Sequence, residues 1–81
     1  MRVCVRDGKV NGRPIVRAWE SLNGWLWLAV ERISRGFYYG LVISDTPEWG
    51  YFYEKDISGF FPFVWEVEPH DIPFIHREVR T

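Results

Sequence analysis

The sequence predicts a mainly β protein: a single small antiparallel sheet or partly open barrel of five or six strands, with at most one short helix. Three observations carry this expectation. Apolar and polar residues alternate with a period of two in four separate segments, as half-buried strands require. Glycine and proline occur singly between those segments and read as turn punctuation. No stretch shows apolar residues at i, i+3, i+4 and i+7 for long enough to make a helix.

The first alternating segment is "RVCVR", with Val3 and Val5 on one face and Arg2, Cys4 and Arg6 on the other. Asp7-Gly8 and Asn11-Gly12 both have the composition of tight turns, and their closeness leaves open which of them closes a hairpin. "PIVRAWE" reads as a second strand, whose Pro14 suits an edge or a strand start because it has no N–H to donate. Ser21 to Gly24 reads as a loop.

"WLWLAVERI" and "FYYGLVIS" flank Arg35-Gly36, and a two-residue turn there makes a hairpin from Trp25 to Ser44. It pairs Ile33 with Tyr38, Glu31 with Gly40 and Ala29 with Val42. One face then carries Leu26, Leu28, Val30, Tyr39, Leu41 and Ile43. The other carries Trp25, Trp27, Ala29, Glu31, Tyr38, Gly40 and Val42, where a glycine and an alanine leave room for rings. "DTPE" is a further turn, and "WGYFYE" a strand with Trp49, Tyr51 and Tyr53 facing one way. "EKDI" has room for one helical turn and "SGFFPF" is irregular. "FVWEVE" alternates again, and "FIHREV" fits a last edge strand.

The 81 residues make one domain, 1–81, with no room for a second. A chain of this size buries only about 60–65% of its unfolded surface. Cys4 is the single cysteine, so neither an intrachain disulfide nor a cysteine-rich zinc site can supplement the core. Aromatic burial is the remaining supplement, at about 150–250 Å² per ring. Five Trp, four Tyr and six Phe are available for it. Burial of large apolar residues is the general rule. A sheet this short has one interior, however. If the aliphatic face fills it, the tryptophan face needs the C-terminal segment or a partner to cover it. No apolar run approaches the ~18 residues of a membrane span and no secretory signal is visible, so the sequence reads as cytoplasmic.

The blocks "GWLWLAVE", "YYGLVIS", "EWGYF" and "VEPHDIPF" resemble a family of small uncharacterised proteins carried on plasmids, phages and other mobile elements. The matching positions are Gly24, Trp25, Trp27, Glu31, Gly40, Leu41, Val42, Glu48, Gly50, Tyr51, Phe52, Glu68 and Asp71, over roughly residues 22–75. The family pattern has a short acidic helix after the Tyr-Phe pair, where this chain reads "YEKDISGFFPF". The resemblance implies a mobile-element origin and brings no catalytic chemistry with it.

The residues themselves assemble none. His70, His76, Asp71 and Glu78 match no metal-ligand spacing. Neither histidine lies near Cys4 in sequence, so no Cys/His nucleophile pair forms. No serine sits in a nucleophile elbow, and no glycine loop cradles phosphate. Glu31, set on the ring face with Trp25, Trp27 and Gly40, needs an indole N–H or an arginine as partner, or else it acts as a catalytic carboxylate. The expectation is a non-enzymatic protein with no cofactor.

Charge is distributed unevenly. The net charge is −1. Residues 1–40 carry seven Lys/Arg against three Asp/Glu, and residues 41–81 carry three against eight. Two binding modes follow. Asp45, Glu48, Trp49, Tyr51, Tyr53, Glu54 and Asp56 interleave acids with rings and suit a basic protein surface, such as that of a nuclease or another nucleic-acid enzyme. Alternatively, Arg2, Arg6, Lys9, Arg13 and Arg17 form a basic edge for single-stranded nucleic acid, with rings stacking on bases. The third reading is that the acids merely solvate loops and strand edges.

Overall fold

The computed structural model describes residues 1–78. The protein is mainly β, with nine antiparallel strands among the described residues, arranged as two sheets rather than one. The smaller sheet has the order β3-β2-β1-β9, from Arg13–Pro14, Lys9–Val10, Arg2–Arg6 and Ile75–Glu78. The larger has the order β7-β6-β5-β4-β8, from Pro47–Tyr53, Phe37–Ile43, Leu26–Ser34, Arg17–Ser21 and Val64–Val67. A single helix turn, α1 (Glu54–Ser58), follows β7, and a 3-10 turn spans Pro69–Asp71.

Both early turns close hairpins. Asp7-Gly8 joins β1 to β2 and Asn11-Gly12 joins β2 to β3. All four residues have positive φ, which Gly, Asn and Asp tolerate best. The segment "PIVRAWE" is not one strand. Pro14 ends the edge strand β3, Ile15 drops into the core, and Val16 donates its N–H to the Ala29 carbonyl at 2.8 Å as the chain crosses to the larger sheet. That crossing is why the β structure divides into two layers.

The Trp25–Ser44 hairpin turns where expected, with Arg35 and Gly36 between the paired Ser34 and Phe37. Its register is different. Shifts occur between Ala29 and Glu31 and between Arg32 and Ser34, so Ala29 opposes Gly40, Glu31 opposes Tyr39 and Arg32 opposes Tyr38. The two shifts move the pairing by two residues in total. Because side chains alternate with a period of two, everything from Leu26 to Ala29 regains its expected face. Leu28 and Ile43 accordingly share one core. Glu31, caught between the bulges, is turned to the Tyr39 face and leaves the ring face on which Trp25, Trp27 and Gly40 were grouped with it. An arginine meets it there: Arg13 Nη2 donates to Glu31 Oε1 at 2.9 Å.

The larger sheet is covered on both sides, so there are two apolar clusters. The first lies between the sheets and joins Val3, Val5, Val10 and Ile72 to Leu26, Leu28, Leu41 and Ile43. Full burial of each such side chain contributes about 1.5–3 kcal/mol. The second lies on the opposite face, where Ile57 of α1 and Val64 of β8 pack on Trp19, Ala29 and Tyr38, with Trp27 and Phe52 beside them. Trp19 meets Tyr38 and Phe52 edge-on, at centroid distances of 5.6 and 5.9 Å. Such pairs add about 0.5–1.5 kcal/mol beyond their area. The chain's own residues 54–64 thus cover most of the tryptophan face.

Candidate binding surfaces

Arg17 is the most connected polar side chain of the second cluster. It starts β4 on the face that carries Trp19 and Tyr38, and no basic edge includes it. Its guanidinium donates to both carboxylate oxygens of Glu66, at 3.0 and 2.6 Å, to Tyr38 Oη at 3.0 Å, and to Glu54. It also lies 4.7 Å from the centre of the Trp19 ring. The Glu66 hydrogen bonds raise the Arg17 pKa above its ordinary value, and the same bonds hold Glu66 below the usual carboxylate range. Two of the candidate binding residues, Arg17 and Glu54, are therefore committed to each other and tie α1 to β4 and β8. The spacing of "YEKDI" hides this, because the partners lie far apart in the chain.

The remaining basic candidates sit on the smaller sheet. Arg2 and Arg6 project from the outer face of β1, and Lys9 is paired with Arg6 across β2. Each arginine has an acidic neighbour: Arg2 with Glu78 at 3.4 Å, Arg6 with Asp7 at 3.6 Å, and Arg13 with Glu31. These contacts are exposed and weak. They dilute the positive field that a nucleic-acid backbone would need.

On the same outer face, Cys4 pairs directly with His76, which the sequence had left apart. Cys4 uses its N–H on Asn11 Oδ1 and its carbonyl on the Asn11 N–H, both at 2.7 Å. Its backbone polar groups thus point away from β9. The Cys4–His76 pair is the non-hydrogen-bonded kind, in which side chains lie closest. His70 is elsewhere, with its ring over Gly8. Among the described residues no three His, Cys, Asp or Glu side chains converge as a metal site would need.

The acid-and-ring candidates separate by strand alternation. Trp49, Tyr51 and Tyr53 face one way from β7 and Glu48 the other, while Asp45 lies in the β6–β7 turn and Asp56 on α1. The three β7 rings interleave with Tyr39 and Phe37 of β6 into a continuous ladder. Centroids are 4.4 Å apart for Tyr53–Phe37, 5.6 Å for Phe37–Tyr51, 4.9 Å for Tyr51–Tyr39 and 5.8 Å for Tyr39–Trp49. Tyr39 and Trp49 anchor it to the first core, while Tyr51 and Tyr53 are exposed. β7 is also an edge strand, so its outward N–H and C=O groups are open to a partner. At the Tyr53 end, Lys55 Nζ lies 5.7 Å from the ring centre.

A second apolar surface joins Trp25 and Trp27 of the expected tryptophan face to residues that the sequence did not single out. The turn after β4 meets the loop after α1, where Leu22 N–H bonds the Phe63 carbonyl at 2.8 Å. Between them is an apolar cleft of about 450 Å³ lined by Leu22, Trp25, Trp27, Phe60, Phe63 and Val64. Trp25 and Trp27, 6.1 Å apart, therefore serve two environments: Trp27 packs on the second core, and Trp25 forms cleft wall. The signal available in the sequence was that "SGFFPF" is irregular and yet rich in phenylalanine, which a loop with no surface to serve would not be.

The fold and its two ring surfaces define a small two-sheet β domain with exposed aromatic faces. No family model, curated protein or solved structure matches the chain. No helix among the described residues is long and apolar enough to cross a membrane.

Proposed function

We propose that the protein is a non-enzymatic binding module that docks the ring ladder of β6 and β7 on a basic protein surface. The observation that carries this is the ladder itself. Tyr39 and Trp49 pack on the core, and the exposed Tyr51 and Tyr53 lie against Tyr39 and Phe37, so the exposed pair is supported by its neighbours without a partner. Pre-organised rings make good anchors, because little freedom is lost when they are covered. Asp45 lies in the β6–β7 turn, Glu48 on the opposite face of β7 and Asp56 on α1; none stands among the rings, and their part is the longer-range one of steering encounter and setting salt dependence.

The resemblance to mobile-element proteins directs the choice of partner. A nucleic-acid enzyme of a host defence complex has a basic surface, and a module that occupies it inhibits without catalytic residues of its own. This reading places the protein in the cytoplasm. The competing reading, single-stranded nucleic acid, draws on Lys55 beside Tyr53 and on the basic outer face of the smaller sheet.

The two are separated by charge reversal. Asp45, Glu48 and Asp56 are replaced together by Lys; Glu54 is left in place because Arg17 depends on it. Against a purified basic partner, the triple variant is expected to associate more slowly and with a shallower salt dependence, and to keep the wild-type circular dichroism. Tyr51→Ala is expected to weaken the same complex by about 2 kcal/mol, roughly thirtyfold. A gel shift at low salt supplies the contrary outcome. If the wild-type protein binds single-stranded DNA or RNA and Arg2, Arg6 and Arg13 to Ala abolishes that binding, the protein-docking proposal fails.

A further inference from the structure

We infer that the cleft between the β4–β5 turn and the loop after α1 is the interface of a two-fold symmetric homodimer, on a different part of the surface from the ring ladder. Leu22 is 72% exposed, Phe60 64%, Phe61 75%, Phe63 60% and Trp25 38%. Phe61 is the most exposed of these and does not line the cleft, while Phe60 and Phe63 do. A protruding ring thus stands next to a ring-lined recess. Two copies related by a two-fold axis can each place Phe61 in the other's cleft, which is how an isologous interface becomes self-complementary.

Area and charge both select a second copy as the occupant. At about 200 Å² for a whole ring, the exposed fractions of these aromatics with Leu22 amount to roughly 600 Å² per molecule. Two copies would cover about 1,200 Å², the lower end of what a specific stable interface buries. Across a two-fold axis any charge near the axis meets its own copy and is repelled. No charged residue occurs from Ser21 to Val30 or from Ile57 to Trp65, in a chain that is 26% charged overall. A basic partner would find nothing there to attract it. A second copy finds nothing to repel it.

The test is sedimentation velocity with light scattering on the wild-type chain over a concentration series up to about 100 μM, where interfaces of this size associate. The expected result is a reversible shift from 9.7 kDa to twice that mass. Phe61→Glu and Leu22→Glu, each at an exposed position, are expected to hold the monomer mass throughout while keeping the wild-type circular dichroism. Two variants are used so that misfolding of one does not decide the outcome. A wild-type protein that stays at 9.7 kDa overturns the inference. So does a dimer that survives both substitutions, which would place the contact on another face such as the β7 edge, or growth past the dimer, which a closed two-fold interface forbids.

Discussion

Gly40→Ala is expected to destabilise the fold strongly, and Gly50→Ala, at the partner position one strand away, is not. The difference is space, since neither glycine has the positive φ found at the turns. A methyl on Gly40 would sit 2.0 Å from the Leu28 carbonyl oxygen and 2.8 Å from Ala29 Cα. Both are main-chain atoms of β5, beside the first bulge, so no rotamer change relieves the clash. A methyl on Gly50 would meet nothing within 4 Å. Overpacking of this kind costs about 3 kcal/mol, while a domain of 81 residues has roughly 4–12 kcal/mol of stability in all. The expected fall in Tm is on the order of 15 °C for Gly40→Ala. For Gly50→Ala the expected change is zero or a gain of about 0.5 kcal/mol from the less flexible unfolded chain. Equal effects at the two positions would show that β5 does not approach β6 as closely as described.

The second large effect is expected at Arg17. Replacing it with Met keeps much of the stem's packing but removes the shared cation from Glu54 and Glu66, a donor from Tyr38 and the contact over Trp19. Breaking a fully buried ion pair costs about 3–5 kcal/mol. Here solvent reaches the carboxylates, and about 2 kcal/mol is the expected loss in urea unfolding at neutral pH. Acid gives the diagnostic. Glu66 is held below its unfolded-state pKa, so its contribution is complete above the ordinary carboxylate value near ~4.3 and is lost as pH falls through the depressed one. Wild-type stability should therefore drop through the acid range more steeply than that of Arg17→Met, and the two unfolding midpoints should draw together. Midpoints that stay parallel from neutral pH into acid would mean that the Arg17–Glu66 contact contributes nothing.

Local pattern made some of this architecture legible and left the rest hidden. Alternation in "RVCVR" and "FVWEVE" identifies strands because a strand's two faces meet different surroundings. The turn at Arg35-Gly36 is legible because Gly36 supplies a positive φ that few residues tolerate. The bulges at Val30 and beside Ile33 are not, since an extra residue in one strand leaves no mark in composition. They are what removed Glu31 from the ring face. The division into two sheets was hidden in "PIVRAWE", where one short segment serves both layers. Arg17 with Glu54 and Glu66, and Cys4 with His76, join residues far apart in sequence, and a pattern scan sees only near neighbours. Of the acid-and-ring group, Trp49, Tyr51 and Tyr53 were legible as one face of a strand. The acids' positions depended on the turn and on α1.

The double cover of the larger sheet has a consequence for how the molecule breathes. β5 has hydrogen-bonded neighbours on both edges and apolar clusters on both faces, so its central amides can reach solvent only when the whole structure opens. β2 and β3, at two residues each, are attached through β1 and have a free outer face. Amide hydrogen exchange should therefore grade across the protein, with Leu28 and Ala29 exchanging last and Lys9 to Arg13 first. The smaller sheet would act as a hinged cover over the first core, its opening a cheaper event than global unfolding.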